Sequence, residues 1–396
     1  MLAQSYSGIL PRRARAKIAL LLFAGVVLAG AAGSTNATAQ SYEQLEVPDT
    51  PLVLDATGSI YVGGRTVSET DVQIGLYGGG EVAVDQMYVQ YMIPRNHAGL
   101  AVVLVHGGTL TGKTFETTPD GRMGWYEYFA RKGYRSYLVD QVRRGRSGFD
   151  AAAYNDVRAG IAEPKTQPKV RRLAREVAWA LFRIGTEDGK KFPDTQFPVD
   201  AAGEFAKQAV PDLTEGLPAD NPNFRALSQL AGKLNNAVLI GHSQSGLFPF
   251  EAVLLDAEGI RGAVAIEPGG CKSGTYSDEQ MTRLSKIPIL VLFGDHIDAQ
   301  VRLDHLSNDE IALADRTQRT GTRWRDLFRD CQKFVDRINS LNGNATMMHT
   351  PALGIKGNSH MMMQDKNNLE IANLIMKWID DNVAGNRRRT ASFVNN

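Results

Sequence analysis

Apolar residues follow two rhythms along this chain. From residue 82 to residue 93 they alternate with polar ones (Val82, Val84, then Met87, Val89, Tyr91, Ile93), and the phase slips near Asp85-Gln86. A period of two predicts a half-exposed antiparallel strand, with a bulge at the slip. Ahead of it, residues 52–54 and 59–62 read as a strand pair with Gly58 between them. Elsewhere the apolar runs are unbroken: 100–105, 237–240, 262–266 and 287–293. Such runs suit strands covered on both faces of a parallel sheet. Residues 134–140 form one more strand, and 125–132 and 369–383 have helix character. Strands alternating with helices predict a doubly wound, mostly parallel α/β sheet.

Two stretches fall outside that rhythm. Residues 40–55 read as an extended arm. Residues 149–236 separate two core strands by far more chain than a crossover helix needs. Within them 170–184 looks helical and 192–223 is rich in Pro, Asp and Gly. The expectation is a cap insertion at about 149–236 in a single domain spanning 40–396.

The N-terminus has its own pattern. Arg12, Arg13, Arg15 and Lys17 precede an apolar run at 18–32, and Ala37-Thr38-Ala39 follows. That is the layout of a signal peptide, residues 1–39, cleaved after Ala39. The apolar run is short for a membrane span. The expected product is periplasmic or secreted, without a stable membrane span. Arg12-Arg13 lacks the apolar neighbours of a twin-arginine signal. The tail 385–396, with Arg387-Arg388-Arg389, is expected to be disordered.

Composition narrows the function classes. The 396 residues are 43% hydrophobic and 22% charged, with a net charge of +1. These are globular values, and the balanced charge argues against a nucleic-acid partner. After export, Cys271 and Cys331 allow one disulfide, worth roughly 3–4 kcal/mol, and two buried thiols fit the count equally well. Neither cysteine spacing nor neighbouring histidines suggests a metal, and nothing calls for a cofactor. The oligomeric state is not written in the sequence.

The most informative stretch is Gly241-His242-Ser243-Gln244-Ser245-Gly246, directly after the run 237–240. Strand, sharp turn and helix start, with serine at the apex, is the nucleophile-elbow pattern of serine hydrolases. Serine is a poor nucleophile alone and needs a base, an acid to orient it and an oxyanion hole. In an α/β-hydrolase the chain order is Ser, Asp or Glu, His. His360, in a glycine-containing loop before the last helix, is the expected base, ahead of His296, His305 and His349. For the acid, Glu267 ends one strand and Asp298 follows the next. The residues leave both open. The oxyanion hole is expected from the N–H groups of Gln244 and Gly108, with His106 bracing the loop.

Several longer motifs go further: His106-Gly107-Gly108-Thr109-Leu110-Thr111-Gly112, the run 116–125 from Glu116 to Trp125, Gly145-Arg146-Ser147, Phe293-Gly294-Asp295-His296-Ile297 and the run 357–365 from Gly357 to Asp365. With the Ser243 motif, they resemble a small group of secreted bacterial esterases of the α/β-hydrolase fold whose triad acid is glutamate. The resemblance covers about 50–385. It implies Ser243 as nucleophile, His360 as base and Glu267 as acid, which tips the choice away from Asp298. It departs at Gly108-Thr109, where cysteines can occur in that group.

The expected activity is cleavage of small-molecule carboxylic esters through an acyl-enzyme. The same triad could serve an acyltransferase or a lactonase. A non-catalytic binding protein on a hydrolase scaffold would lack a triad member, and none is missing. Dehalogenases and epoxide hydrolases need Asp where Ser243 stands.

Overall fold

The computed structural model describes residues 45–302 and 320–384. The expected leader 1–39 and the tail 385–396 lie outside the described residues.

The main sheet holds β1 (Leu54–Glu69), β2 (Gly80–Pro94), β3 (Ala101–Val105), β4 (Arg135–Asp140), β5 (Ala237–His242), β6 (Ile260–Ile266) and β7 (Ile289–Phe293). A two-residue ribbon, β8 (Val301–Arg302) with β9 (Thr320–Gly321), stands apart, and β10 (Ala345–His349) completes the sheet. Its order is β1-β2-β4-β3-β5-β6-β7-β10. β4 to β10 run parallel, while β1 and β2 are antiparallel to their neighbours.

The unbroken apolar runs have a simple cause. In β3, Ala101, Val103 and Val105 enter one core, and Val102 and Leu104 enter the other. In β5, Ala237 and Leu239 face the first core, Val238 and Ile240 the second. Helices Pro222–Leu234, Phe248–Leu255, Asp278–Leu284 and Arg323–Ser340 cover the first face, through Leu227, Phe250, Met281 and Phe334. Helices Trp125–Arg131 and Asn368–Ile379 cover the second, through Trp125, Phe129, Ile371 and Ile375. Each fully buried Val, Leu, Ile or Phe contributes roughly 1.5–3 kcal/mol of transfer free energy. No helix among the described residues is long and apolar enough to cross a membrane.

The alternating strand behaves differently from its reading in one respect. The phase slip lies at Asp85, at φ 62, but Gly64 opposite it is also left-handed, at φ 86. Arg65 pairs with Val84 and Gly63 with Gln86, so both strands spend one residue and the register is kept. The strand pair expected around Gly58 does not form. β1 runs straight through Gly58, which pairs with Tyr91 of β2. A Cβ at Gly58 would lie 2.8 Å from the Tyr91 hydroxyl oxygen, so this glycine makes room for a ring instead of a turn.

Between β4 and β5, only Arg175–Leu181 of the helix expected over 170–184 is α-helical. Short helices Ala152–Arg158 and Ala202–Lys207 are joined by loops, and Pro222–Leu234 returns to the sheet. Cys271 and Cys331 form a disulfide, tying the loop after β6 to helix Arg323–Ser340.

Candidate active site

The residues singled out in the sequence collect at the C-terminal ends of the parallel strands, where open α/β sheets bind ligands. Ser243 follows β5 at φ 56, a left-handed conformation that costs a non-glycine residue of order 1 kcal/mol or more. The turn is so tight that a Cβ on Gly241 would lie 2.0 Å from the Ser245 carbonyl oxygen. Ser245, where such turns usually carry a small residue with no polar task, uses its hydroxyl. It donates to the Val105 carbonyl at 2.8 Å and accepts the His242 N–H at 3.0 Å, pinning the elbow to β3.

Glu267 directly follows β6, also left-handed at φ 50, and is fully buried. Its Oε2 lies 3.1 Å from His360 Nδ1. Its Oε1 accepts the Gly294 N–H and, at 2.6 Å, an N–H of Arg183. The loop that carries His360 is held from below by Asp365, which accepts the Ser359 N–H at 2.8 Å, the Ser359 hydroxyl at 2.7 Å and the Asn358 side-chain amide at 3.0 Å. The His360 N–H donates to the Phe182 carbonyl at 2.8 Å. With Nδ1 on the carboxylate, the neutral imidazole carries its proton there and presents Nε2 as an acceptor. Nε2 is buried and without a hydrogen-bond partner among the described residues.

Asp298 is not brought to His360. Its side chain is 70% exposed and pairs with Arg325 at 2.7 Å. His296 stacks on Phe192 and hydrogen-bonds Asp194 at 2.8 Å. Asp194, Asp295 and His296 could present three ligand atoms to a cation within 4.8 Å of one another. Each is already engaged: Asp295 accepts the N–H groups of His296 and Gly357. His305 lies outside the described residues.

The His360 imidazole is held at about 4, and burial is the largest cause. Glu267 pulls it back up, while Arg183 and Arg323 push it further down. Burial alone would raise the Glu267 carboxyl. The Arg183 guanidinium and His360 outweigh it and hold that group at about 2. At neutral pH the pair is therefore a carboxylate and a neutral imidazole, the state a general base requires.

Ser243, His360, Gly108 and Gln244 open into one cavity of about 660 Å³. A Cβ on Gly107 would lie 2.9 Å from the Ser243 Cβ, so the loop after β3 passes directly against the serine. Thr109, left-handed at φ 56, donates its N–H to Asp212 at 3.1 Å. Asp212 is paired at 2.6 Å with the buried Arg144. His106 is tied into the same loop by its own hydrogen bonds to Gly107 and Gln141. The far wall comes from the long connection between β4 and β5, with Leu173, Val177, Leu181 and Phe182, and from Leu247 and Trp324. Arg183, Asp212 and Arg144 were not anticipated from the sequence. Their signal is three-dimensional, since each is a buried charge whose partner lies far along the chain.

The chain is 43% identical to a protein of known structure described as a novel bacterial esterase. The match covers 85% of this chain and 99% of that one, with a TM-score of 0.75. It is also 24% identical over 355 residues to a fungal protein named "Probable secreted lipase phiG" (Fungal sp., strain ATCC 74256), covering 83% of this chain and 95% of the relative. No protein-family model matches.

Proposed function

The chain belongs to the bacterial α/β-hydrolase esterases and hydrolyses carboxylic esters, and from that premise we propose that Ser243, His360 and Glu267 are its catalytic triad. Ser243 Oγ attacks the ester carbonyl while His360 Nε2 takes its proton. The resulting imidazolium stays stabilised by Glu267. The N–H groups of Gly108 and Gln244 receive the oxyanion, an interaction whose loss typically raises the barrier by about 3–4 kcal/mol. Collapse expels the alcohol, protonated by His360, and leaves an acyl-Ser243. Water, activated by the same imidazole, then releases the acid. The observation that carries this reading is the contact of Glu267 Oε2 with His360 Nδ1, with Nε2 left unpaired and with His360 and Ser243 lining one cavity.

Export of the chain fits the same picture. A cationic stretch, an apolar run and Ala37-Thr38-Ala39 open the sequence, one relative is named as secreted, and the disulfide suits an oxidising compartment. The proposed mature chain starts at Gln40.

A fluorophosphonate probe followed by peptide mass spectrometry tests both points on protein purified from the expressing cell. An adduct on Ser243, lost in His360→Ala, and an N-terminal peptide beginning at Gln40 are expected. Ser243→Ala should keep the thermal midpoint and lose turnover. An adduct elsewhere, or turnover surviving in Ser243→Ala, would sink the triad assignment.

A further inference from the structure

Three consecutive residues of the connection between β4 and β5 reach past the cavity wall to the acid and the base. Leu181 accepts the Trp324 indole N–H at 2.7 Å. Phe182 accepts the His360 backbone N–H, and its ring centroid lies 4.8 Å from that of the imidazole. Arg183, left-handed at φ 55 and fully buried, donates at 2.6 Å to Glu267, 84 residues away in the chain. Its Nε donates to the Asp295 carbonyl at 2.7 Å, and the guanidinium lies 4.6 Å from the centre of the Trp324 ring.

A carboxylate that only orients an imidazole has no need of a buried cation. The Gly294 N–H already holds Oε1 in place. Burying a guanidinium is expensive unless it is paired, and here the pairing is with Glu267 and the Asp295 carbonyl, while Arg183 Nη1 has no hydrogen-bond partner among the described residues. Its electrostatic effect is specific. It competes with the imidazolium for the charge of Glu267 and so opposes protonation of His360.

We propose that Arg183 is a positioning residue that sets the working pH range of the Glu267–His360 pair, so that the connection between β4 and β5, and not the sheet, fixes the acid limit of turnover. This rests on the Ser243–His360–Glu267 reading. Other charged or titratable groups face the pair as well. Arg323 opposes protonation of His360, and His242 packs against its ring. His349 and Asp365 stand near Glu267, and Asp295 stands near His349. Of the cations in this set, Arg183 is the one in contact with the carboxylate. An opposite charge in contact typically changes the proton affinity of a carboxyl by about 10- to 1,000-fold, and the same order carries to a proton shared with its partner.

The test is the pH profile of kcat/KM, and of Ser243 phosphonylation by a fluorophosphonate, for wild type, Arg183→Gln and Arg183→Lys. Glutamine keeps a donor to Glu267 without the charge, and lysine keeps the charge without the fork. In Arg183→Gln the acid limb should move up by about one pH unit or more, from about 4 to about 5 or above, a roughly twofold or larger loss at pH 5 relative to pH 8 where wild type loses about a tenth. In Arg183→Lys the limb should move less than half as far even if kcat falls. Wild type labelled at Ser243, with the limb of Arg183→Gln unmoved, overturns the role of Arg183 alone. If Arg183→Gln does not fold, a limb in Arg183→Lys displaced by a full pH unit overturns it instead. Absence of Ser243 labelling in wild type overturns the triad reading and this inference with it.

Discussion

At Glu267 three donors converge on two oxygens: Gly294 and Arg183 on Oε1, His360 on Oε2. Glutamine in its place must turn its NH₂ toward one of those donors, and it removes the charge that stabilises the imidazolium. Glu267→Gln should lower kcat by about 10³–10⁴-fold, the size seen when a triad acid loses its charge. It should also destabilise the fold by roughly 3–5 kcal/mol, because Arg183 is left as a buried unpaired cation. Asp298→Asn touches an exposed ion pair worth at most about 1 kcal/mol and should leave kcat within about twofold. Steady-state kinetics and thermal melts of both variants check this, and comparable loss in Asp298→Asn would overturn the choice of Glu267. The residues alone could not make that choice, since each carboxylate ends or follows a strand. Nor could they mark Arg183 among Arg171, Arg172 and Arg175, because its distinction is a partner 84 positions away. Ser245 was legible as a small residue. The task of its hydroxyl depends on a carbonyl of β3 that only the folded sheet brings near.

At the scale of elements, legibility follows how much of an element's pattern is local. β3, β5, β6 and β7 are written as apolar runs because both of their faces are covered. β10 reads Ala-Thr-Met-Met-His, a run with little strand character, and owes its conformation to parallel pairing with β7. Helix Arg323–Ser340 escaped the reading although Trp324, Leu327, Cys331, Phe334 and Ile338 recur at helical spacing and are buried. Its importance lies in what it carries. Trp324 stands beside His360 at one end, and Cys331 is joined to Cys271, a few residues beyond Glu267. Closing a loop with a sequence separation of 60 removes denatured-state entropy worth roughly 4 kcal/mol. The same junction is also held by Asp330, which accepts the N–H groups of Cys271 at 2.6 Å and Ser273 at 3.1 Å. Cys271→Ser with Cys331→Ser should therefore lower the unfolding free energy by about 3–4 kcal/mol while the protein that remains folded keeps kcat near wild type. Urea titrations with activity assays read both quantities, and unchanged stability would show that the disulfide adds nothing to the Asp330 tether.

Across the whole molecule, the chemistry that stands out is the burial of histidine. His106, His242 and His360 are fully enclosed, and burial holds each below 6.5, His106 and His360 at about 4. In the unfolded chain the same rings titrate near 6.5, so between 6.5 and 4 the unfolded state binds more protons. Their contribution to stability is complete above pH 6.5 and is lost as pH falls through that window. Asp365 acts in the opposite sense. Burial raises it to about 6, so it disfavours the fold at neutral pH and stops doing so as pH falls toward 3.8. Glu267, held at about 2, contributes above pH 4.5 and loses that contribution only as pH falls toward 2. One carboxyl does not offset three rings, since every tenfold difference in proton affinity between the folded and unfolded chain is worth about 1.4 kcal/mol. None of this was legible in a formal charge of +1, which treats every histidine alike. The same burial keeps His360, the proposed base, neutral well below pH 6.5. Acid should therefore erode the fold from pH 6.5 downward, above the limb near 4 at which the proposed base of the folded enzyme is protonated. The thermal midpoint is expected to fall steadily from pH 6.5 to 4, with initial rates per folded molecule level to about pH 5. Differential scanning calorimetry and initial-rate kinetics in matched buffers separate the two. Rates falling with an apparent pKa near 6.5 while the midpoint holds would mean that His360 is open to solvent during turnover.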